Sequence, residues 1–328
     1  MENTQMENMR IEIKDITDLD FLSREYDISK EELIAFHNKH CALHEIIPGN
    51  LPKYLRYIYI PADKESKRKA KSLLISQIPL PDTPEELTYG VLITTASAEF
   101  KIQYLVDIHR KENAEVSVVR KKIYVNDQEI ELMVEKLIET AGEALYPLHI
   151  SLKKDGRTEA ILNGSEIRNR WKEEYLPRIQ QYYEGETAEE TIEKLNRFYE
   201  NINGSTEALH QNLFYTIYFM LLYTSYPDYQ KEEILNFYFP SLDEIISYTA
   251  VFSLQKILTD HDKILIRVKG EQVNNPMATD LKKGSVYLLY QLDKQSKSIF
   301  SVVGELSAFH QNKEISIAIE IYQQKSYI

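Results

Sequence analysis

Cysteine is all but absent from this chain. One of its 328 residues, Cys41, is a cysteine, so no internal disulfide forms and an oxidised secreted scaffold is excluded. Glycine is scarce as well. There are ten in all, about half the usual frequency. No GxGxxG and no GxxxxGK(S/T) occurs, which removes the two best-known phosphate-cradling loops. Positive charge is in deficit, with 39 Lys and Arg against 51 Asp and Glu and a net charge of −12. Nucleic acid is therefore not expected as a partner, because phosphate binding needs a positive surface. Long apolar runs are missing too. The most apolar stretch, residues 213–226 (LFYTIYFMLLYTSY), is too short to span a bilayer and predicts a buried core helix, with no membrane span. The opening MENTQMENMRIEIKD lacks the apolar core of a secretory signal. The default compartment is the cytoplasm, with export by a machine that ignores N-terminal signals left open.

What is present describes a folded chain. The hydrophobic share of 43% and charged share of 27% are those of a globular protein, so extensive disorder is not expected. Ile11 and Ile13 alternate with polar neighbours and predict a short strand over residues 9–14. Leu19, Leu22 and Tyr26 then fall on one face of a helix over 18–26. Ser29 starts a second helix, because Glu32 three residues later completes a capping box. Pro48-Gly49-Asn50 marks a loop, and residues 57–60 a closing strand. The order is strand, helix, helix, strand within residues 1–62.

Residues 63–84 read as a linker. The basic run KESKRKAK is a solvated tether or helix start, and IPLPDTP favours extended chain. Residues 85–328 form a larger strand-rich unit. Ile102, Tyr104, Val106 and Ile108 alternate as a strand. Met133, Leu137 and Ala141 share one face of a helix over 131–141. Residues 148–152 and 157–162 make a hairpin around Lys154-Asp155-Gly156. A helical insertion occupies about 165–227, with Trp171 and Ile167 opening one helix, Pro177 kinking it, and a capping box at Thr187–Glu190. Asn203-Gly204 stops the next helix and Ser205 caps the one after. Strands return at 246–254, 264–268, 285–292, 298–309 and 315–322, with short antiparallel connections. The expected class is α+β: a βααβ module followed by an antiparallel, partly barrel-like sheet with inserted helices.

The first unit resembles a LysM module. The residues that carry the resemblance are Leu22, Ser23, Tyr26, Ile28, Ser29, Glu31, Glu32, Leu33, Pro48, Gly49, Ile60 and Pro61, which match in order and spacing over less than a fifth of the chain. In place of the family's first glycine-containing loop stand Lys14-Asp15-Ile16-Thr17-Asp18. His37 stands where asparagine is usual, and the segment from His40 to Arg56 is lengthened. The resemblance implies a groove for N-acetylglucosamine-containing chains, peptidoglycan or a chitin-like glycan. Here Thr17, Asp18, Ile46, Ile47, Pro48 and Gly49 would line it. The same residues equally serve turns and caps. The resemblance also allows a second role, an adaptor inside a cytoplasmic assembly such as a phage-tail-like particle, with protein partners and no glycan.

Other clusters are weaker. His37, His40, Cys41 and His44 fall on one face if the helix continues, but their spacing matches no zinc signature, and no metal or cofactor is expected. Cys41 as a nucleophile would need an oriented base; His40 and His44 are near in sequence, but nothing marks a third member, and no carboxylate pair is marked as catalytic, so no enzyme is expected. Tyr215, Tyr218, Tyr223, Tyr226 and Tyr229 could stack sugars. Their simpler role is to pack a helix on the sheet with hydroxyls at its rim.

Overall fold

The computed structural model describes residues 8–13, 18–52, 54–62, 73, 75–95, 100–202, 206–259, 261–273, 282–310 and 313–324. The basic run 64–71, Thr17, Asn203-Gly204, Ser205 and Asp260 fall outside them. Two compact units form, Met1–Leu74 with Lys256–Thr259, and Ile75–Gln255 with Asp260–Ile328.

In the first unit β1 (Asn8–Glu12) pairs antiparallel with β2 (Tyr57–Pro61). Between them lie α1 (Leu19–Tyr26) and α2 (Lys30–His40). The start of α1 is fixed by Asp18, whose carboxylate accepts from the Phe21 amide at 2.6 Å. Ser29 and Glu32 form the expected reciprocal cap at the start of α2, meeting amide donors that a helix leaves unpaired. Leu19, Leu22, Tyr26, Leu33, Ile47, Ile58 and Ile60 close one apolar core.

In the second unit strand exceeds helix, as it does over the whole structure at 43% against 28%, so the sheet dominates. Its strands are β3 (Glu85–Thr95), β4 (Phe100–Arg110), β5 (Glu115–Val125), β6 (Gln128–Glu129), β7 (Leu148–Leu152) and β8 (Thr158–Ile161). After the helices come β9 (Gln230–Phe239), β10 (Glu244–Leu254), β11 (Lys263–Gln272), β12 (Ser285–Asp293), β13 (Ile299–His310) and β14 (Lys313–Gln323). The order is β8-β7-β5-β4-β3-β14-β13-β12-β11-β10-β9, with β6 beside β5. Each half is a run of antiparallel neighbours. The halves meet at one seam, where Tyr89 to Thr95 pair with Gln323 to Ile317. The expected partial barrel is thus an open sheet, with β8 and β9 at its two ends. β9 was not legible in the sequence because it begins Gln-Lys-Glu-Glu, and only Leu235, Phe237 and Phe239 are buried.

The helices are α3 (Met133–Glu143), α4 (Gly164–Arg170), α5 (Leu176–Tyr182), α6 (Glu186–Glu200), α7 (Glu207–His210) and α8 (Leu213–Tyr218). Between α4 and α5 the chain opens into a π-type turn, Trp171–Tyr175, where the Leu176 amide bonds the Trp171 carbonyl five residues back. Pro177 follows at once. The wider turn relieves the clash that a proline makes with a carbonyl in the preceding turn, so the expected kink takes this form. α3 starts and ends two residues later than predicted and leaves Met133 63% exposed, and only Leu137 and Ala141 are buried. The predicted capping box of α6 is absent. Gly185, at φ 103°, precedes the helix with no side-chain cap.

The largest correction concerns residues 213–226. The helix ends at Tyr218, and the chain from Phe219 to Tyr223 continues buried and irregular. Aromatic and β-branched residues are modest helix formers, and a segment apolar all round gains more from contact on every side than from one helical stripe. Its tyrosines sit inside the unit, where Tyr215 donates to the Tyr146 hydroxyl at 3.0 Å and others take up backbone carbonyls. Tyr226 donates to Leu222 at 2.8 Å, Tyr223 to Lys297 at 3.3 Å, and Tyr290 of β12 to Ile217 at 2.9 Å. From the sheet, Tyr89 donates to Ile299 at 2.6 Å and Tyr248 to Ser307 at 2.8 Å. Such bonds meet carbonyls that would otherwise be buried without a partner. Burial pushes the Tyr218 hydroxyl up to about 12, against the pull of the nearby Arg110 charge.

Candidate functional site

The candidate groove residues belong to two segments of the first unit. Asp18 caps α1, and its carbonyl also accepts from the Leu22 amide at 3.1 Å. The loop after α2 holds the others. Ile47 is 1% exposed and packs in the same cluster as Leu19. Its amide donates to Asn38 Oδ1 at 2.8 Å, and its carbonyl accepts from Asn38 Nδ2 at 2.9 Å. Asn38, one place after the slot where the family usually has asparagine, thus grips both sides of one residue. Ile46, Pro48 and Gly49 on either side are exposed, and a Cβ built on Gly49 would meet nothing within 4 Å. Ile47 is therefore an anchor, and Ile46, Pro48 and Gly49 are the surface it presents. The described residues do not include Thr17.

A further exposed group was missed. Phe21, in the first turn of α1, is 50% exposed. It lies two positions on from Leu19, off the buried face, so helical spacing alone gave the signal.

The histidine and cysteine cluster is taken apart by the fold. α2 runs to His40, two residues beyond the end that the resemblance implies. His37 is fully buried. The Tyr59 amide donates to its Nδ1 at 3.1 Å, so Nε2 carries the proton and donates to the Glu45 carbonyl at 2.8 Å. His40 bonds the Phe36 carbonyl through Nδ1 at 2.7 Å. Cys41 ends the helix. Desolvation raises its thiol, opposed by its own backbone hydrogen bond and reinforced by Glu45, the reverse of an activated nucleophile. Among the described residues no group of three metal-ligating side chains comes together.

His37 instead ties α2 to the loop and to β2. Replacing it with leucine leaves an amide and a carbonyl without partners. His37→Leu is expected to destabilise the first unit by about 2 kcal/mol and to speed hydrogen exchange at the Tyr59 amide. An unchanged exchange rate at Tyr59 would refute this role.

In the second unit the buried Arg110 pairs with the partly exposed Glu85. Arg110 Nη1 donates to Glu85 Oε2 at 3.2 Å and meets Ser298 Oγ at 3.0 Å, and the Ser298 hydroxyl donates to the same carboxylate oxygen. Both bonds converge on one carboxylate oxygen, which suits a clamp joining β3, β4 and the start of β13.

No family model matches the chain, and no curated protein is detectably similar to it. Among solved structures, one of lipovitellin, concerned with its lipid–protein interactions, is similar at a TM-score of 0.40 and 9% identity, over 75% of this chain. This chain spans only 25% of that one. A likeness so slight carries no argument here. No helix among the described residues is long and apolar enough to cross a membrane.

Proposed function

We propose that the protein is a non-enzymatic glycan-binding protein whose first unit is a LysM-type module, taking peptidoglycan or another N-acetylglucosamine-containing chain. The observation that supports this most is the Asn38 grip on Ile47. It holds Ile46, Pro48 and Gly49 at the surface in a fixed conformation, and preorganisation of that kind lowers the entropic cost of binding. Exposed Ile46 and Pro48 offer an apolar floor, and Asp18 and the open backbone at Gly49 offer polar groups. An acetamido sugar needs both.

Titrating the full chain with chitotetraose and following backbone amide shifts tests the reading. Shifts at Asp18, Ile46, Ile47 and Gly49 are expected at roughly millimolar ligand, and Ile46→Asp is expected to abolish them. Silence at all four amides would sink the proposal.

A second reading, an adaptor inside a larger assembly such as a phage-tail-like particle, is favoured by one feature. Leu132, Met133, Val134 and Ile138 stand exposed around α3, and apolar groups clustered at a surface suit a protein partner. Co-purification with a discrete large particle, lost on Val134→Asp, would favour it over the first reading.

A further inference from the structure

The solvent face of the sheet carries a trough that the first unit does not share. β14, β3, β4 and β5 lie side by side there. One cross-strand row holds Tyr322, Gly90 and Leu105, each opposite the next. The row beside it holds Glu320, Leu92, Gln103 and Tyr124. Gly90 has no side chain, and the Gln324 amide lies over it as the floor of the row's middle. The depression encloses about 500 Å³.

Its lining is distinctive. Tyr322, Leu105 and Tyr124 are 42%, 40% and 38% exposed, so two aromatic rings stand open at opposite ends. Between them lie the amides of Gln103 and Gln324; Gln103 Nε2 already donates to Asp127 Oδ1 at 2.6 Å, so it is the Gln103 oxygen and the Gln324 amide that would meet a ligand. The lysines at the rim are both neutralised. Lys121 pairs with Asp107 at 2.9 Å and Lys122 with Glu129 at 2.5 Å.

These features select a ligand class. A phosphate or other strong anion needs cations that are not already paired. A purely apolar ligand would strip water from Glu320 and the amides without replacing its hydrogen bonds. A saccharide meets both demands. Its ring faces present C–H groups to tyrosine rings, and its hydroxyls bond amides and carboxylates. The strands of Tyr322 and Tyr124 are three spacings apart, about 14 Å, which suits a short oligosaccharide rather than one sugar. We infer that this trough is a saccharide-binding site, in which an uncharged oligosaccharide lies across β14, β3, β4 and β5 between Tyr322 and Tyr124. It does not rest on the reading of the first unit.

Gly90 offers a clean test. Positive φ among the described glycines is confined to Gly156 and Gly185, so the Gly90 backbone accepts a side chain. A Cβ there would press on the Gln324 amide at 2.6 Å, the far end of a flexible chain. Gly90→Val therefore pushes the Gln324 amide out of place and narrows the trough, at no cost in backbone strain. Calorimetric titration of the full chain with chitotetraose, cellotetraose and maltotetraose should show saturable binding of at least one. Tyr124→Ala and Tyr322→Ala should each weaken it about tenfold, and Gly90→Val should abolish it, with thermal unfolding of the two tyrosine variants unchanged. No saturable heat from any of the three sugars overturns the inference. So does binding that Ile46→Asp removes and all the trough variants leave intact, a result that would keep the first-unit reading. The converse pattern supports the trough alone.

Discussion

Trp171→Ala is expected to lower stability by about 3–5 kcal/mol, seen as a shift of the urea midpoint followed by far-UV circular dichroism. Trp171 is fully buried. Its ring stacks on Tyr199 with centroids 4.4 Å apart, and its Nε1 donates to Asn196 Oδ1 at 2.8 Å. Truncation leaves a cavity, a lone amide oxygen and an unsupported Tyr199. The Tyr199 hydroxyl in turn donates to the Ala141 carbonyl at 2.5 Å, so the loss passes from α6 to α3. Trp171 also opens the π-type turn ahead of Pro177, a place where backbone bonding is already irregular. Trp171→Phe keeps most of the stacking and should recover more than half of the loss. A truncation costing less than about 1 kcal/mol would mean that the helices settle into the void, contrary to the close packing of protein interiors.

Gly304→Val should destabilise by about 3 kcal/mol or more, the upper end for overpacking. Gly304 lies mid-strand in β13, opposite Leu288 and Ile319. A Cβ there would come within 2.4 Å of both the Tyr287 carbonyl oxygen and Leu288 Cδ2. The side chain can turn aside; the carbonyl belongs to the β12 backbone and cannot move without parting the strands. Gly270 and Gly284 are hemmed in likewise, by Thr249 O at 2.7 Å and Ser307 O at 1.9 Å. Glycines at such approaches let strands bend sharply across one another. Gly49 is the control. It faces open space, so Gly49→Ala should change stability by less than about 0.5 kcal/mol. A Gly304→Val protein as stable as the parent would show that this part of the sheet is not tightly drawn together.

Local order was legible because local chemistry dictates it. The Ser29–Glu32 cap, the alternation in β10 to β14 and the turn at Gly156, with φ 94°, all follow from a few adjacent residues. The seam between β3 and β14 does not, because both strands alternate alike and pairing depends on the whole sheet. Residues 213–226 misled for a related reason. An apolar run announces burial but not whether one face or every face is covered. The candidate sites divide the same way. The Asn38 grip lies within ten residues of its target, and the loop it holds was legible through Pro48 and Gly49. The trough joins Gly90, Gln103, Tyr124 and Tyr322 from four strands, so no short stretch of sequence contains it.

The position of β14 has a consequence for synthesis. It is the last strand in chain order among the described residues, yet it lies between β13 and β3 at the middle of the sheet. As the polypeptide leaves the ribosome, β3 to β8 are complete long before β14 exists. Through the making of every helix from α4 to α8 and every strand from β9 to β13, the nascent chain carries β3 with one flank unpaired. An exposed flank of that kind accepts whatever strand it meets.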